Sequence, residues 1–114
     1  RQVAIAPHIQ DYAVRLVLAT HPKGVFGGGE FSTPMVNQFV RVGASPRAAQ
    51  SLVLAGKCRA LLDGRPAVAI EDLRAVALPS LRHRLILNFE GEAEGVTADG
   101  VVSNVMETLP VDVE

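Results

Sequence analysis

The chain has 114 residues, 48% of them hydrophobic and 20% charged, with a formal net charge of -1. That length suits one domain with a single core. The near-neutral balance gives no electrostatic footing for a nucleic-acid or membrane surface, and no apolar run is long enough to span a bilayer. Aromatic residues are only 4% and tryptophan is absent, so the core must be assembled from Ala, Val, Leu and Ile, which suits packed helices. The lone Cys58 cannot form an internal disulfide, and together with the lack of a charged-then-apolar leader it points to the cytoplasm.

In chain order, Gln2 to Pro7 reads as a linker or short strand entering the domain from something upstream. The chain opens on Arg1, as a fragment of a longer protein would. Ile9, Ala13, Leu16, Val17 and Thr20 recur at helical spacing and predict a first helix over about 9–20, stopped by Pro22 and Gly24. Lys23 to Thr33 holds Gly24, Gly27, Gly28 and Gly29 and is expected to be a flexible loop. It lacks the lysine and the preceding strand of a phosphate-binding loop, and no such motif occurs elsewhere in the chain.

Thr33 as N-cap and Pro34 at the first helical position open a short helix carrying Val36, Phe39 and Val40, ending at Gly43. Ser45 as N-cap and Pro46 then open the longest helix, with Ala48, Leu52, Ala55 and Leu62 at helical spacing. An Arg59–Asp63 pair sits four apart, and Gly64 with Pro66 forms the stop. Val68 to Ile70 approaches a fourth helix whose first turn carries Glu71 and Asp72 and whose core face is Leu73, Val76 and Ala77, limited or kinked by Pro79. The stretch 81–89 fits helix or extended chain, and helix followed by coil is the expectation. Glu90, Glu92 and Glu94 with Gly91 and Gly95 read as an acidic turn, after which Thr97 caps a last helix presenting Val102, Val105, Met106 and Leu109. The fold class expected is an all-α bundle of five to six helices.

The chemical signals are sparse. His8, His21, His83 and Cys58 lack metal-ligand spacing, and no serine or cysteine has a sequence-level base, so neither a metal site nor a catalytic centre is expected. Arg82, His83 and Arg84, with Arg74 nearby, form a basic cluster that fits either a solvated face or a subunit or phosphate contact. Arg47 is the singular feature. It lies in the first turn of a helix, where the macrodipole is already positive. A surface arginine satisfies that placement, and so does one that waits for an anion such as phosphate.

Four segments, taken together and in order, resemble the C-terminal lid domain of MoxR-type AAA+ ATPases. They are Asp11-Tyr12-Ala13-Val14-Arg15-Leu16-Val17 with Ala19-Thr20; Gly43-Ala44-Ser45-Pro46-Arg47-Ala48; Leu81-Arg82-His83-Arg84-Leu85; and Glu92-Ala93-Glu94-Gly95-Val96-Thr97. The resemblance spans nearly all of 1–114. It implies a helical lid packed over ATP held by a preceding α/β core of the same chain, with Mg supplied to that parent site. The segment Gly43, Ala44, Ser45, Pro46 and Arg47 would be the second sensor, its arginine reaching the γ-phosphate. It further implies neighbouring subunits in a hexameric ring, and chaperone-like protein remodelling or metal insertion for an unidentified client. His21 stands where relatives often have arginine, Ala69 stands where a helix-capping Ser or Thr is usual, and the glycine loop is peculiar to this chain. The alternative class is a free-standing helical interaction or DNA-binding module, which would want a basic recognition helix and a basic net charge that this chain lacks.

Overall fold

Prolines mark three helix starts in the computed structural model, which describes residues 3–23 and 31–110. Pro7 begins α1 (Pro7–Leu18), Pro34 begins α2 (Pro34–Phe39), and Pro46, with φ -57° and ψ -26°, turns the chain into α3 (Arg47–Leu62). At each of these places the missing proline N–H is one that a helix leaves unused. Thr33 caps α2 by accepting the Val36 amide on its hydroxyl, as its position predicts. Helices α4 (Ile70–Leu81), α5 (Phe89–Ala93) and α6 (Ala98–Thr108) follow, α6 being capped by Thr97 through the Gly100 amide.

The six described helices bear out the expected helical bundle, and a small sheet is added to it. Val40–Val42 forms β1 and Ile86–Leu87 forms β2, an antiparallel pair with Val40 opposite Leu87 and Val42 opposite Ile86. The fold is therefore mostly helical with a small two-stranded sheet. The β-branched run Val40, Val42, Ile86 favours extended chain once two segments lie side by side. Nothing local in 81–89 signals a partner strand at 40–42, far back in the chain, and the helix expected there ends at Leu81. Two smaller differences accompany it. Helix α2 ends at Phe39 and passes straight into β1 rather than running to Gly43. The acidic turn around Glu90 to Glu94 is mostly the helix α5, capped by Asn88 through the Gly91 amide.

Helices α3 and α4 pack together, α1 lies against α3, and α6 against α4. Their shared core holds Tyr12 and Leu16 of α1, Leu52 and Ala60 of α3, Leu73, Ala77 and Leu81 of α4, and Val101, Val102 and Val105 of α6. Pro79 does not end α4, which runs on to Leu81. Arg74 is turned away from the basic cluster at 82–84 and donates to the Tyr12 hydroxyl and to Met106 O, pinning α4 to α1 and α6. At the chain's start Ala4 makes a parallel bridge to Ala67.

The α3–α4 corner turns on a buried carboxylate. Gly64, at φ 73°, supplies the left-handed residue that ends α3, and the amides of Gly64 and Arg65 close back on Leu61 O and Ala60 O. Arg65 then forks onto Asp72, with Nη1 to Oδ2 at 2.7 Å and Nη2 to Oδ1 at 2.6 Å, and Arg59 Nε adds a contact to Oδ1 at 3.2 Å. The Arg59–Asp63 pair expected from spacing does not form: Arg59 turns to Asp72, and Asp63 takes Arg65 Nε instead. Asp72 also accepts the Ala69 amide at 2.8 Å, so it stabilises the start of α4 although Ala69 has no hydroxyl to cap with.

Asp72 is 2% exposed. The Arg65 hydrogen bonds hold its carboxyl at about 2 against the usual 3.8; burial opposes the shift and the Ala69 amide reinforces it. A carboxylate lowered on folding contributes stability that is complete above the unfolded value and disappears as pH falls through the folded one. The contribution at neutral pH is about 2 kcal/mol. Asp72→Asn is expected to lose about that amount in urea unfolding at pH 7. The gap to the parent sequence should hold down to about pH 5 and close between about 4 and 2. A gap that stays constant to pH 2 would show that the pair does not stabilise the corner.

Candidate functional site

The segment that sets Arg47 is clamped onto the end of α1. Gly43 is buried, and a Cβ placed on it would lie 2.6 Å from Thr20 O and 2.8 Å from Thr20 Oγ1, well inside contact distance. Only glycine admits this crossing. One residue on, both backbone groups of Ala44 are engaged: its amide donates to Thr20 Oγ1 at 3.0 Å, and its carbonyl accepts from His21 Nε2 at 2.6 Å. The Thr20 hydroxyl in turn donates to Val17 O at 2.6 Å, so its proton is spent on α1 and its lone pair on Ala44. Because His21 Nε2 faces a carbonyl, that nitrogen carries a proton. Thr20, His21 and Ala44 are all buried.

From this latch the chain turns directly into α3. Pro46 already has helical dihedrals and serves as the N-cap, Ser45 O accepts the Ala48 amide, and Pro46 O accepts the Ala49 amide. The expected Ser45 side-chain cap is absent. Ser45 contributes its carbonyl, because the proline beside it has already adopted the helical turn and the first bond closes through the backbone. Arg47 still falls in the first turn of a 16-residue helix, and its side chain is exposed.

Among the described residues, the Arg47 side chain makes no hydrogen bond or ion pair, and that of Arg41 is alike in this. The remaining described arginines are all engaged. Arg15 pairs with Asp11, Arg59 and Arg65 with Asp72, and Arg74 with Tyr12 and Met106 O. Arg82 forks onto Asp99 at 2.9 and 3.0 Å, tying the end of α4 to the start of α6. Arg84 donates to Ser80 O and Ser51 Oγ. The basic cluster at 82–84 is thus divided: both guanidiniums make contacts within the domain, Arg84 from an exposed position, while His83 faces out. The acidic group does not pair with it; Glu90 accepts from Gln38 instead.

Sequence reasoning missed Thr20 and His21 as the residues that hold the Arg47 segment. Their signal was faint: a threonine and a histidine at a helix stop, with a Gly-Ala pair more than twenty positions later. The glycine loop expected over Lys23 to Thr33 falls mostly outside the described residues, since 24–30 are not among them. Lys23 is described, and its amide donates to Asn37 Oδ1. Among the described residues no three His, Cys, Asp or Glu side chains converge as a metal site, and no helix is long and apolar enough to cross a membrane.

Comparison with known proteins bears on the same segment. Residues 33–105 match the family model of the AAA lid domain. The chain is 34% identical over 99 residues to the chaperone MoxR1 of Mycobacterium tuberculosis, covering 87% of this chain and 25% of that protein. It is 33% identical over 110 residues to protein MoxR of Methylorubrum extorquens, covering 95% of this chain and 32% of that protein. In structure it resembles a candidate ATPase from Cytophaga hutchinsonii, solved by crystallography, with a TM-score of 0.88 and 30% identity over 98% of this chain and 32% of that one. The chain therefore spans only a quarter to a third of the length of these relatives. A helical bundle of this topology, matched over most of its length by the lid model and by MoxR proteins, belongs to the AAA lid domain family in its MoxR-type form.

Proposed function

We propose that residues 1–114 form the lid of a longer MoxR-type ATPase, closing over ATP held with Mg by an α/β core, and that Arg47 is the sensor that meets the γ-phosphate. The observation that carries this reading is the unpartnered, exposed Arg47 at the N-terminus of α3. It stands among arginines that are otherwise almost all engaged within the domain. A free guanidinium beside a helix N-terminus suits a phosphate, which both the charge and the dipole favour. Gly43, Thr20 and His21 support the reading by fixing where α3 begins, since a phosphate contact is useful only from a preset position. The parent would assemble with neighbouring subunits into a hexameric ring in the cytoplasm, and spend hydrolysis on chaperone-like remodelling of a protein or insertion of a metal into it.

The lid is half of the nucleotide site. One charge-assisted hydrogen bond contributes about 1.5 to 3 kcal/mol, whereas millimolar affinity already requires about 4.1 kcal/mol. Calorimetry of this chain with ATP is expected to show no binding in the micromolar range, and a micromolar Kd would overturn the division of the site between lid and core. In the full-length parent, Arg47→Ala should lower ATP turnover by roughly 10- to 100-fold while leaving the thermal midpoint within a degree or so. Unchanged turnover removes Arg47 from the site.

The latch is tested separately. Thr20→Val keeps the shape but leaves the buried Ala44 amide unpaired, at a cost of about 1–3 kcal/mol. Gly43→Ala forces the crossing apart at a similar cost of about 1–3 kcal/mol. Both should reduce turnover of the parent under conditions where the variant remains folded, with Arg47 intact. Full activity in a folded Gly43→Ala protein would mean that the placement of α3 is not what the chemistry depends on.

A further inference from the structure

The described arginines divide by whether a carboxylate meets their charge. Arg15, Arg59, Arg65 and Arg82 each have one. Among the described residues, Arg41, Arg47, Arg74 and Arg84 form no ion pair. Arg74 is spent inside the domain on Tyr12 and Met106 O. The other three lie on segments that come together where α3 begins: β1, the first turn of α3, and the link from α4 to β2. The antiparallel register sets Val42 opposite Ile86, so the chain leaving β1 towards Gly43 runs back along the stretch that holds Arg84.

Arg84 is held in place without being neutralised. Its Nε donates to Ser80 O at 2.9 Å and its Nη2 to Ser51 Oγ at 3.3 Å. Both acceptors are uncharged, and the partial negative charge at the C-terminus of α4 offsets only part of a full cation. Nη1 has no partner among the described residues, and the side chain is exposed.

Ser51 is the informative partner. It lies four residues after Arg47 on α3, and side chains at that spacing are neighbours on one helix face with about 5–6 Å between their Cβ atoms. The Cα–Cβ bonds of a helix tilt towards its N-terminus, so the Ser51 hydroxyl holds Arg84 towards the Arg47 end of α3. Two exposed guanidiniums thus share one face of the opening turns. The carboxylates that might answer them are placed elsewhere: Asp99 takes Arg82, Glu90 accepts from Gln38, and Asp63 ends α3 about 24 Å away along its axis. Cations held close together without a counter-charge favour an anion of more than one charge.

We propose that Arg84 reaches the γ-phosphate beside Arg47, with Ser51 as the positioning residue that sets its guanidinium. A phosphate has several oxygens to satisfy, and guanidinium forks approaching from two segments engage more of them than one arginine does. ADP lacks the γ-phosphate, so a second cation aimed at it acts on the distinction between ATP and ADP. The inference rests on the reading that nucleotide closes against the start of α3, and it adds a residue and a selectivity to that site.

The test is equilibrium titration of the full-length parent with a slowly hydrolysed ATP analogue and, separately, with ADP. Arg84→Gln should weaken binding of the analogue about tenfold or more and change ADP affinity by less than about twofold. Arg84→Lys, which restores the charge without the fork, should recover part of the loss. Ser51→Ala should give a smaller loss, again confined to the analogue. Unchanged affinity for the analogue in Arg84→Gln overturns the inference. So does an equal fall for analogue and ADP, which would make the Arg84 contacts structural only. Arg47→Ala in the same titrations separates the two readings. If it loses the preference for the analogue while Arg84→Gln keeps it, the Arg84 inference fails and the Arg47 reading stands. If Arg84→Gln loses the preference while Arg47→Ala keeps it, the Arg47 reading fails and Arg84 remains the phosphate contact.

Discussion

The approach of Gly43 to the end of α1 is the constraint on which the placement of Arg47 depends. Two helices separated by a long connection are brought to one point, where a backbone without a side chain lies against a threonine carbonyl and hydroxyl. The Thr20 hydroxyl and the His21 ring then bind the next residue's amide and carbonyl, so the crossing cannot slide without leaving buried polar groups unpaired. Proline completes the arrangement by starting the helical turn at once. There is no slack between the latch and the first turn of α3. Whatever Arg47 contacts, it contacts from a position set by α1.

A second theme is how the domain distributes its cations. Most arginines are bound to carboxylates, carbonyls or hydroxyls that join one helix to the next: Arg65 and Arg59 at the α3–α4 corner, Arg74 across α1, α4 and α6, and Arg82 between α4 and α6. These contacts have structural work, and their fork geometry suits it. Against that background an arginine left in water at a helix N-terminus is conspicuous. The same accounting withdraws Arg82 and Arg84 from the list of free basic residues, although their sequence suggests an open cluster.

Features set by neighbouring residues were legible in the sequence. Thr33 with Pro34, Thr97 before α6, and Gly64 after α3 each act within a single turn, and the structure has them as the residues imply. The lid resemblance, carried by four separated segments, reached the family that the comparisons establish. What was not legible depends on partners distant in the chain. Ser45 is a good capping residue, yet Pro46 takes the cap position. Arg59 has Asp63 at the favoured spacing, yet Asp72 offers a buried carboxylate already fixed by Arg65, and that site wins. The strands at 40–42 and 86–87 are too short to show a period, and they exist because the fold lays them side by side. The contacts among Thr20, His21 and Ala44 were not legible either, because only the crossing makes them a unit.

The shape of the domain gives the latch a mechanical meaning. The molecule measures 45 × 24 × 22 Å, about twice as long as it is broad. For a body of that length, a swing of about 10° about one end displaces the other by about 8 Å, within the range of ordinary hinge and shear motions. Gly43, Thr20 and His21 tie the end of α1 to the residues just before α3 through buried contacts, so a rotation of α3 about its start would have to carry the end of α1 with it.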